Sequence, residues 1–300
     1  MVAALKLAIT GGTGFVGQRL LDMALAQGHH VRALTRRSQA VRFGVTWIEG
    51  ALDEPERLAK LVEGTDAVIH VAGVVNADAA GFEAGNVLGT GAILSAAERA
   101  GIARFVHVSS LAAREPQLSM YGASKARSEA LVAASPLSTA IVRPPAVYGP
   151  GDREMLDMFK MASRGFVLLP PAGRLSLIHV DDLASLLLSI AASTETGMIE
   201  PDDGRANGWT HRGFGNALGV AVGRKVHTVS MPRLILTAAA RADRLARGKK
   251  AKLTPDRVAY FCHPDWVVDP AQAPTSWHAA IPTPQGLADT ATWYRSAGWL

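Results

Sequence analysis

The 300 residues fit one large domain, or a large domain with a smaller companion, and 48% hydrophobic against 19% charged residues excludes a disordered chain. No apolar run reaches membrane-spanning length. The net charge is +5, yet seven basic groups and one acid fall between residues 233 and 252, which leaves the rest close to neutral; with no aromatic or groove-reading element beside them, a nucleic-acid partner is not expected.

The chain enters its first predicted strand, Leu5 to Thr10, without the basic and then apolar stretch of a signal peptide. Gly11-Gly12-Thr13-Gly14-Phe15-Val16-Gly17 follows at once, with Gly11, Gly14 and Gly17 in a Gly-x-x-Gly-x-x-Gly spacing. A helix from Gln18 to Gln27, ended by Gly28, and a second strand at His30–Leu34 complete the context. Glycines there allow a tight turn and close approach of backbone to a pyrophosphate at the helix N-terminus, so a dinucleotide site is expected at Gly11, Thr13, Gly14, Phe15, Val16 and Gly17. No acid stands between Asp22 and Glu49 to take a ribose 2′-hydroxyl. Strand two runs instead into Thr35-Arg36-Arg37, and the forks of Arg36 and Arg37 suit a 2′-phosphate, which favours NADP(H) over NAD(H).

Strand three is predicted at Val45–Glu49, with a helix opening at Asp53-Glu54-Pro55 and Leu52 bordering the adenine. Strand four, Asp66 to Gly73, ends in Ala72 and Gly73, small enough to let a cofactor pass; His70 within it reads as a packed, hydrogen-bonded histidine. A long helix opened by Asn86 to Thr90 runs to Ala100, strand five is Arg104 to Ser110, and strand six, Thr139 to Pro145, runs into a proline-rigid loop suited to the nicotinamide. Alternating strands and helices argue for a doubly wound α/β Rossmann fold whose functional groups emerge at the carboxyl ends of parallel strands.

Ser109 and Ser110 lie at one such end, and Tyr121-Gly122-Ala123-Ser124-Lys125 follows after ten intervening residues. If Tyr121 opens a helix, Lys125 lies one turn along the same face, where its ammonium lowers the phenol pKa, and Ser110 adds a hydroxyl. Such a trio suits moving a proton to or from a carbonyl or alcohol oxygen while a nicotinamide exchanges hydride at its carbon.

These pieces, with Arg143-Pro144-Pro145-Ala146-Val147-Tyr148-Gly149-Pro150 and Ile178 to Leu183, resemble the extended short-chain dehydrogenase/reductases of the NAD(P)-dependent epimerase/dehydratase type. The profile is similar to 3β-hydroxysteroid dehydrogenase-like enzymes, bacterial reductases of oxidised ceramide and the branch of the complex I accessory subunit. The resemblance implies a seven-stranded nucleotide domain and a small C-terminal α/β substrate domain, here 1–148 plus about 172–195, and 149–171 plus 196–300. It also implies Tyr121 as proton donor or acceptor, Lys125 on the ribose hydroxyls and Ser110 orienting the substrate oxygen. Asn86, Ser109, Pro144 and Val147 would support the cofactor. Three features depart from relatives: Leu111-Ala112 stands where dehydratases carry an acidic pair, Ala146 where epimerases carry a substrate-holding asparagine, and Ala51 near an adenine-binding aspartate.

The C-terminal third says less. Gly151 to Gly165 predicts a helix rich in Met155, Met158 and Met161, either core or pocket lining, and further helices are expected at Thr210–Leu218 and Leu253–Phe261. Arg233 to Arg247 predicts an amphipathic helix, with arginines on one arc and Leu234, Ile235, Ala238, Ala242 and Leu245 on another. Two readings follow: an outer helix with a solvated basic face, or, across Arg233 to Lys252, a surface resting on anionic lipid. Cys262, the only cysteine, excludes an internal disulfide and suits a reducing cytosol; beside His263 it has no second thiolate, so no metal site is expected.

The expectation is a cytoplasmic NADP(H)-dependent oxidoreductase, monomer or homodimer, interconverting a ketone and an alcohol on a hydrophobic substrate. A sugar-nucleotide epimerase and a non-catalytic cofactor-holding subunit are the alternatives.

Overall fold

The computed structural model describes residues 4–248 and 254–300. The first half alternates β1 (Lys6–Thr10), α1 (Phe15–Ala26), β2 (His30–Thr35), β3 (Val45–Glu49), α2 (Pro55–Val62) and β4 (Ala67–His70). It continues through α3 (Ala79–Phe82), a π-helical turn at Glu83–Leu88, α4 (Gly89–Arg99), β5 (Arg104–Val108), α5 (Met120–Ala133) and β6 (Ser138–Val142). Strands this apolar must be covered on both faces, and β4 and β5 have no exposed residue.

The chain then interleaves. After β7 (Ala146–Tyr148) come α6 (Leu156–Ser163), β8 (Phe166–Leu169), β9 (Arg174–Leu175), β10 (Leu177–His179), α7 (Val180–Ala191) and β11 (Gly197–Ile199). The remainder holds β12 (Trp209–Thr210), α8 (His211–Ala221), β13 (His227–Ser230), α9 (Arg233–Arg247), α10 (Pro255–Phe261), β14 (Asp265–Trp266) and α11 (Thr283–Ser296).

Seven strands form one parallel sheet in the order β11-β6-β5-β4-β1-β2-β3. The order reverses at β1 and β4, the crevice where such sheets take ligands. One core layer, including Leu20, Leu21, Leu183 and Leu187, covers one face of the sheet, and a second, including Leu58, Leu61, Ile93 and Phe105, covers the other. A third cluster built on Phe159, Phe214, Leu287 and Tyr294 belongs to the C-terminal lobe, whose short strands pair as β13 with β8 and as β12-β9-β14.

Several boundaries differ from expectation for local reasons. α1 starts at Phe15, directly on the glycine turn. The sheet reaches Gly197–Ile199, past the boundary expected near 195. The helix expected over 151–165 is confined to Leu156–Ser163, because the Asp152 carboxylate accepts from the Glu154 and Met155 amides and holds a turn there. α8 runs on through Gly219; a Cβ there would stand 2.7 Å from Val226, so this glycine serves close packing and the helix ends only before Gly223, at φ +73°. α9 forms where predicted, but Lys249, Lys250 and Lys252 of the basic stretch lie outside the described residues, as does Leu253 at the expected start of α10. Among the described residues no helix is long and apolar enough to cross a membrane.

Candidate active site

The glycine turn is built for close backbone approach. A Cβ at Gly17 would stand 2.0 Å from the Gly11 carbonyl oxygen, and one at Gly11, whose φ is +74°, would stand 2.6 Å from the Ala72 amide nitrogen. α1 has no side-chain cap, so its first amides are left for an anion, as a pyrophosphate site requires. Thr13 is exposed at the turn; Phe15 stands beside Gly151, and Val16 packs against the first core layer. Ala72 donates its amide to Thr10 Oγ1, which also bonds His70 Nδ1 at 2.6 Å. The chain thus presents small backbone on both sides of the crevice, and the residues fit a dinucleotide.

His70 is the packed histidine its setting suggested: buried, bonded also to Thr90 Oγ1 at 3.0 Å and stacked on His107. Burial, with the nearby Lys125 charge, pushes it down to about 3, and His107 also lies well below the ordinary range, so both rings are neutral.

Gly73 joins this crevice to Ser110, Tyr121 and Lys125. A Cβ there would meet Asn86 Oδ1 at 3.1 Å and Lys125 Nζ at 3.8 Å. Asn86 sits in the π-helical turn, buried, bonding both backbone groups of Val74 and donating to Ser124 Oγ; it braces the loop after β4 against α5. Leu52 packs under the start of α4, where a Cβ on Gly89 would stand 2.8 Å from it. Arg36 and Arg37 are exposed just past the carboxyl end of β2, next to the glycine-turn strand, and the Arg37 backbone is pinned to Thr35 Oγ1.

α5 opens at Met120, capped by Ser119, whose hydroxyl accepts from the Gly122 amide. Gly122 is required by close packing: a Cβ would stand 2.6 Å from the Ala112 carbonyl oxygen. That contact sets the Tyr121 ring against the turn begun by Ser110. Ser110 Oγ accepts from the Ala112 amide and is hydrogen-bonded to Tyr121. Leu111 and Ala112, in place of an acidic pair, are buried in that turn, and the Leu111 amide donates to the Pro144 carbonyl.

Lys125 Nζ donates to the Val108 carbonyl at 2.8 Å and is buried, which brings it down to about 8 against the opposing pull of Glu129. The phenol does not behave as expected. Burial raises Tyr121, the Ser110 bond opposes it, and Glu154 adds to the rise; no lowering by Lys125 enters, because that ammonium is aimed at Val108 and Gly73. Ser109, expected at the cofactor, points instead into the protein and donates to Glu129 Oε1. Glu129 also receives Arg143 through Nε at 2.9 Å and Nη2 at 2.7 Å, and Arg143 Nη1 reaches Glu200 at 3.2 Å.

Ser110 and Tyr121 face a cavity of about 1800 Å³. Val147 of β7 lines it together with Ala146, Met155, Met158, Phe214 and Trp266. Of the methionine-rich stretch, Met155 and Met158 are therefore pocket lining, whereas Phe159 is core, stacked edge-on with Tyr294. Tyr260 and Glu154 also line the cavity and had not been singled out. Burial raises the Tyr260 phenol and the nearby Tyr121 adds to that rise, and Glu154 pairs with Arg257 at 3.3 Å. Both come from segments remote from Tyr121, with no local spacing to mark them.

Among known proteins, the model of the NAD dependent epimerase/dehydratase family matches residues 7–200. The chain is 39% identical over 310 residues to the ceramide reductase of Caulobacter vibrioides (strain NA1000 / CB15N), spanning 98% of this chain and 95% of that one. It is 36% identical over 181 residues to the 4-hydroxy-2-methyl-3-oxo-4-farnesyl-3,4-dihydroquinoline-1-oxide ketoreductase of Stigmatella aurantiaca, over 52% of this chain and 54% of the relative. The Bordetella bronchiseptica enzyme WbmG, solved in complex with NAD and UDP, matches with a TM-score of 0.76 over 99% of this chain and 97% of its own at 18% identity, a likeness of fold.

Proposed function

The chain belongs to the NAD dependent epimerase/dehydratase family, as an oxidoreductase of CH-OH groups, and we propose that it is an NADP(H)-dependent ketoreductase of a hydrophobic, lipid-like substrate. The observation that carries this reading is the large cavity with Met155, Met158, Phe214 and Trp266 in its walls and the Ser110 and Tyr121 hydroxyls at one side. Such walls favour an apolar chain or ring, and the two hydroxyls are the groups that would receive its oxygen. Near-full-length similarity to a ceramide reductase supports the same class.

The glycine turn, Ala72 and Gly73 would hold the dinucleotide, with Arg36 and Arg37 on the 2′-phosphate and Lys125 on the ribose. When bound, the cofactor supplies or removes hydride at the carbonyl carbon. Ser110 holds the substrate oxygen through its hydroxyl, itself oriented by the Ala112 amide. Tyr121 gives that oxygen its proton in the reductive direction. A phenol held above its ordinary range keeps its proton at neutral pH, which suits a donor.

The buried Leu111-Ala112 turn offers no acid or base for dehydration, and Ala146 in the cavity wall offers no amide to a nucleotide sugar. NADPH oxidation should therefore be followed with long-chain 3-oxo lipids, oxidised ceramide, 3-ketosteroids and UDP-sugars, in wild type and Tyr121→Phe. Turnover of a lipid ketone that falls about 10²–10⁴-fold in Tyr121→Phe is expected. Epimerisation of a UDP-sugar without any ketone reduction would overturn the reading in favour of an epimerase. Cofactor binding without turnover of any kind would leave a structural subunit.

A further inference from the structure

α9 is turned the opposite way from an ordinary outer helix. Of its 15 residues only Ala240 is buried. At ~100° per residue Ala240 falls inside the arc of Arg233, Arg241, Arg244 and Arg247, so the basic arc flanks the side of the helix that faces the protein. Arg241 and Arg244 there join the lining of the large cavity. The apolar arc faces away from the body: Leu234 is 84%, Ile235 50% and Leu245 89% exposed. The four arginines stay exposed as well, so the helix shows solvent an apolar face with arginines along its flanks.

Burying large aliphatic side chains is favourable, and this helix leaves them out. The only acid in it, Asp243, is taken by Arg247 at 3.1 Å, so the helix keeps a net positive charge. A second copy laid on the same face would bring another net-positive helix against it. An anionic bilayer has the complementary chemistry: apolar side chains enter the acyl boundary and flanking guanidinium groups reach the phosphates. Leu245 belongs both to the exposed apolar arc and to the cavity lining, so the cavity opens where the helix would be seated.

We propose that α9 is a docking helix for an anionic lipid surface, which sets the mouth of the cavity at the bilayer. This goes beyond the ketoreductase reading and would hold for any ligand of the cavity.

The test is flotation with phosphatidylcholine vesicles prepared with and without phosphatidylglycerol, on wild type and Leu234→Glu/Ile235→Glu. Neither substituted residue lines the cavity, and both are exposed. Wild type should float with the phosphatidylglycerol vesicles and less so at high salt, and the double variant should partition at least about tenfold more weakly. NADPH binding by calorimetry should be unchanged, which shows the variant folded. Flotation of the double variant at the wild-type level, or indifference of wild type to phosphatidylglycerol, would overturn the proposal. A wild-type dimer in sedimentation velocity that the double variant splits, with no flotation by either, would overturn it too and assign the face to a second copy. No readout needs turnover, so failure here is distinguishable from failure of the ketoreductase reading.

Discussion

Lys125 holds a positive charge where charge is disfavoured. Its pKa falls from 10.5 to about 8 because it is buried, with Glu129 pulling the other way. Below pH 8 it is charged in folded and unfolded chains alike, and the burial penalty of about 3 kcal/mol applies in full. Between pH 8 and 10.5 the folded chain sheds the proton first, so stability rises with pH across that window. Denaturant titration of wild type and Lys125→Met should therefore show wild type gaining on the variant from pH 8 upward, and parallel curves would contradict the assignment. On the proposed reading, Arg36 and Arg37 act through the cofactor's 2′-phosphate. Calorimetry on Arg36→Ala/Arg37→Ala should show NADPH affinity falling by roughly tenfold or more while NADH is little changed, as expected if charge-assisted bonds to a 2′-phosphate are lost. At this scale the trio was legible, since Tyr121 and Lys125 are one helical turn apart. The direction of the phenol shift was not, because burial of the ring sets it and Lys125 Nζ is aimed elsewhere, at the Val108 carbonyl of another strand.

Between elements, α5 is fastened to the sheet by charge as well as by packing. Arg143, just after β6, bridges Glu129 on α5 and Glu200 just after β11, and the two carboxylates are 7% and 2% exposed. Glu200 accepts in addition from the Asp269 amide, which ties the clamp to the C-terminal lobe. Arg143→Ala leaves two buried carboxylates without their cation and should cost about 3–5 kcal/mol of stability in denaturant unfolding, where a surface pair would cost under about 1 kcal/mol. The Arg143-Pro144-Pro145 element thus owes its arginine to a charge clamp behind the site. The first six strands could be read from their apolar runs and glycine punctuation to within about three residues. The clamp could not, because its members are separated by up to 71 residues and meet only through strand order.

Over the whole molecule, the nucleotide-binding half was legible and the cavity was not. Glycine spacing, alternating elements and small residues at strand ends are local signals, and they foreshadowed the parallel sheet. The cavity walls come from α6, α8, α9, α10 and β14, and no period in the sequence tells which residues of these turn inward. α9 shows why: its two arcs were apparent on a helical wheel, but which arc faces the protein is decided by tertiary contact. The chain's path has a different kind of consequence. It leaves the sheet after β6, lays down α6 and β8 for the C-terminal lobe, returns for α7 and β11, and departs again. Neither lobe is a continuous piece of chain. During synthesis the sheet cannot gain its last strand until Ile199 has emerged, and α6 and β8 must wait for α8 and β13 before their apolar sides are covered. No single truncation point therefore yields either lobe as a free-standing unit, and the protein must mature as one body.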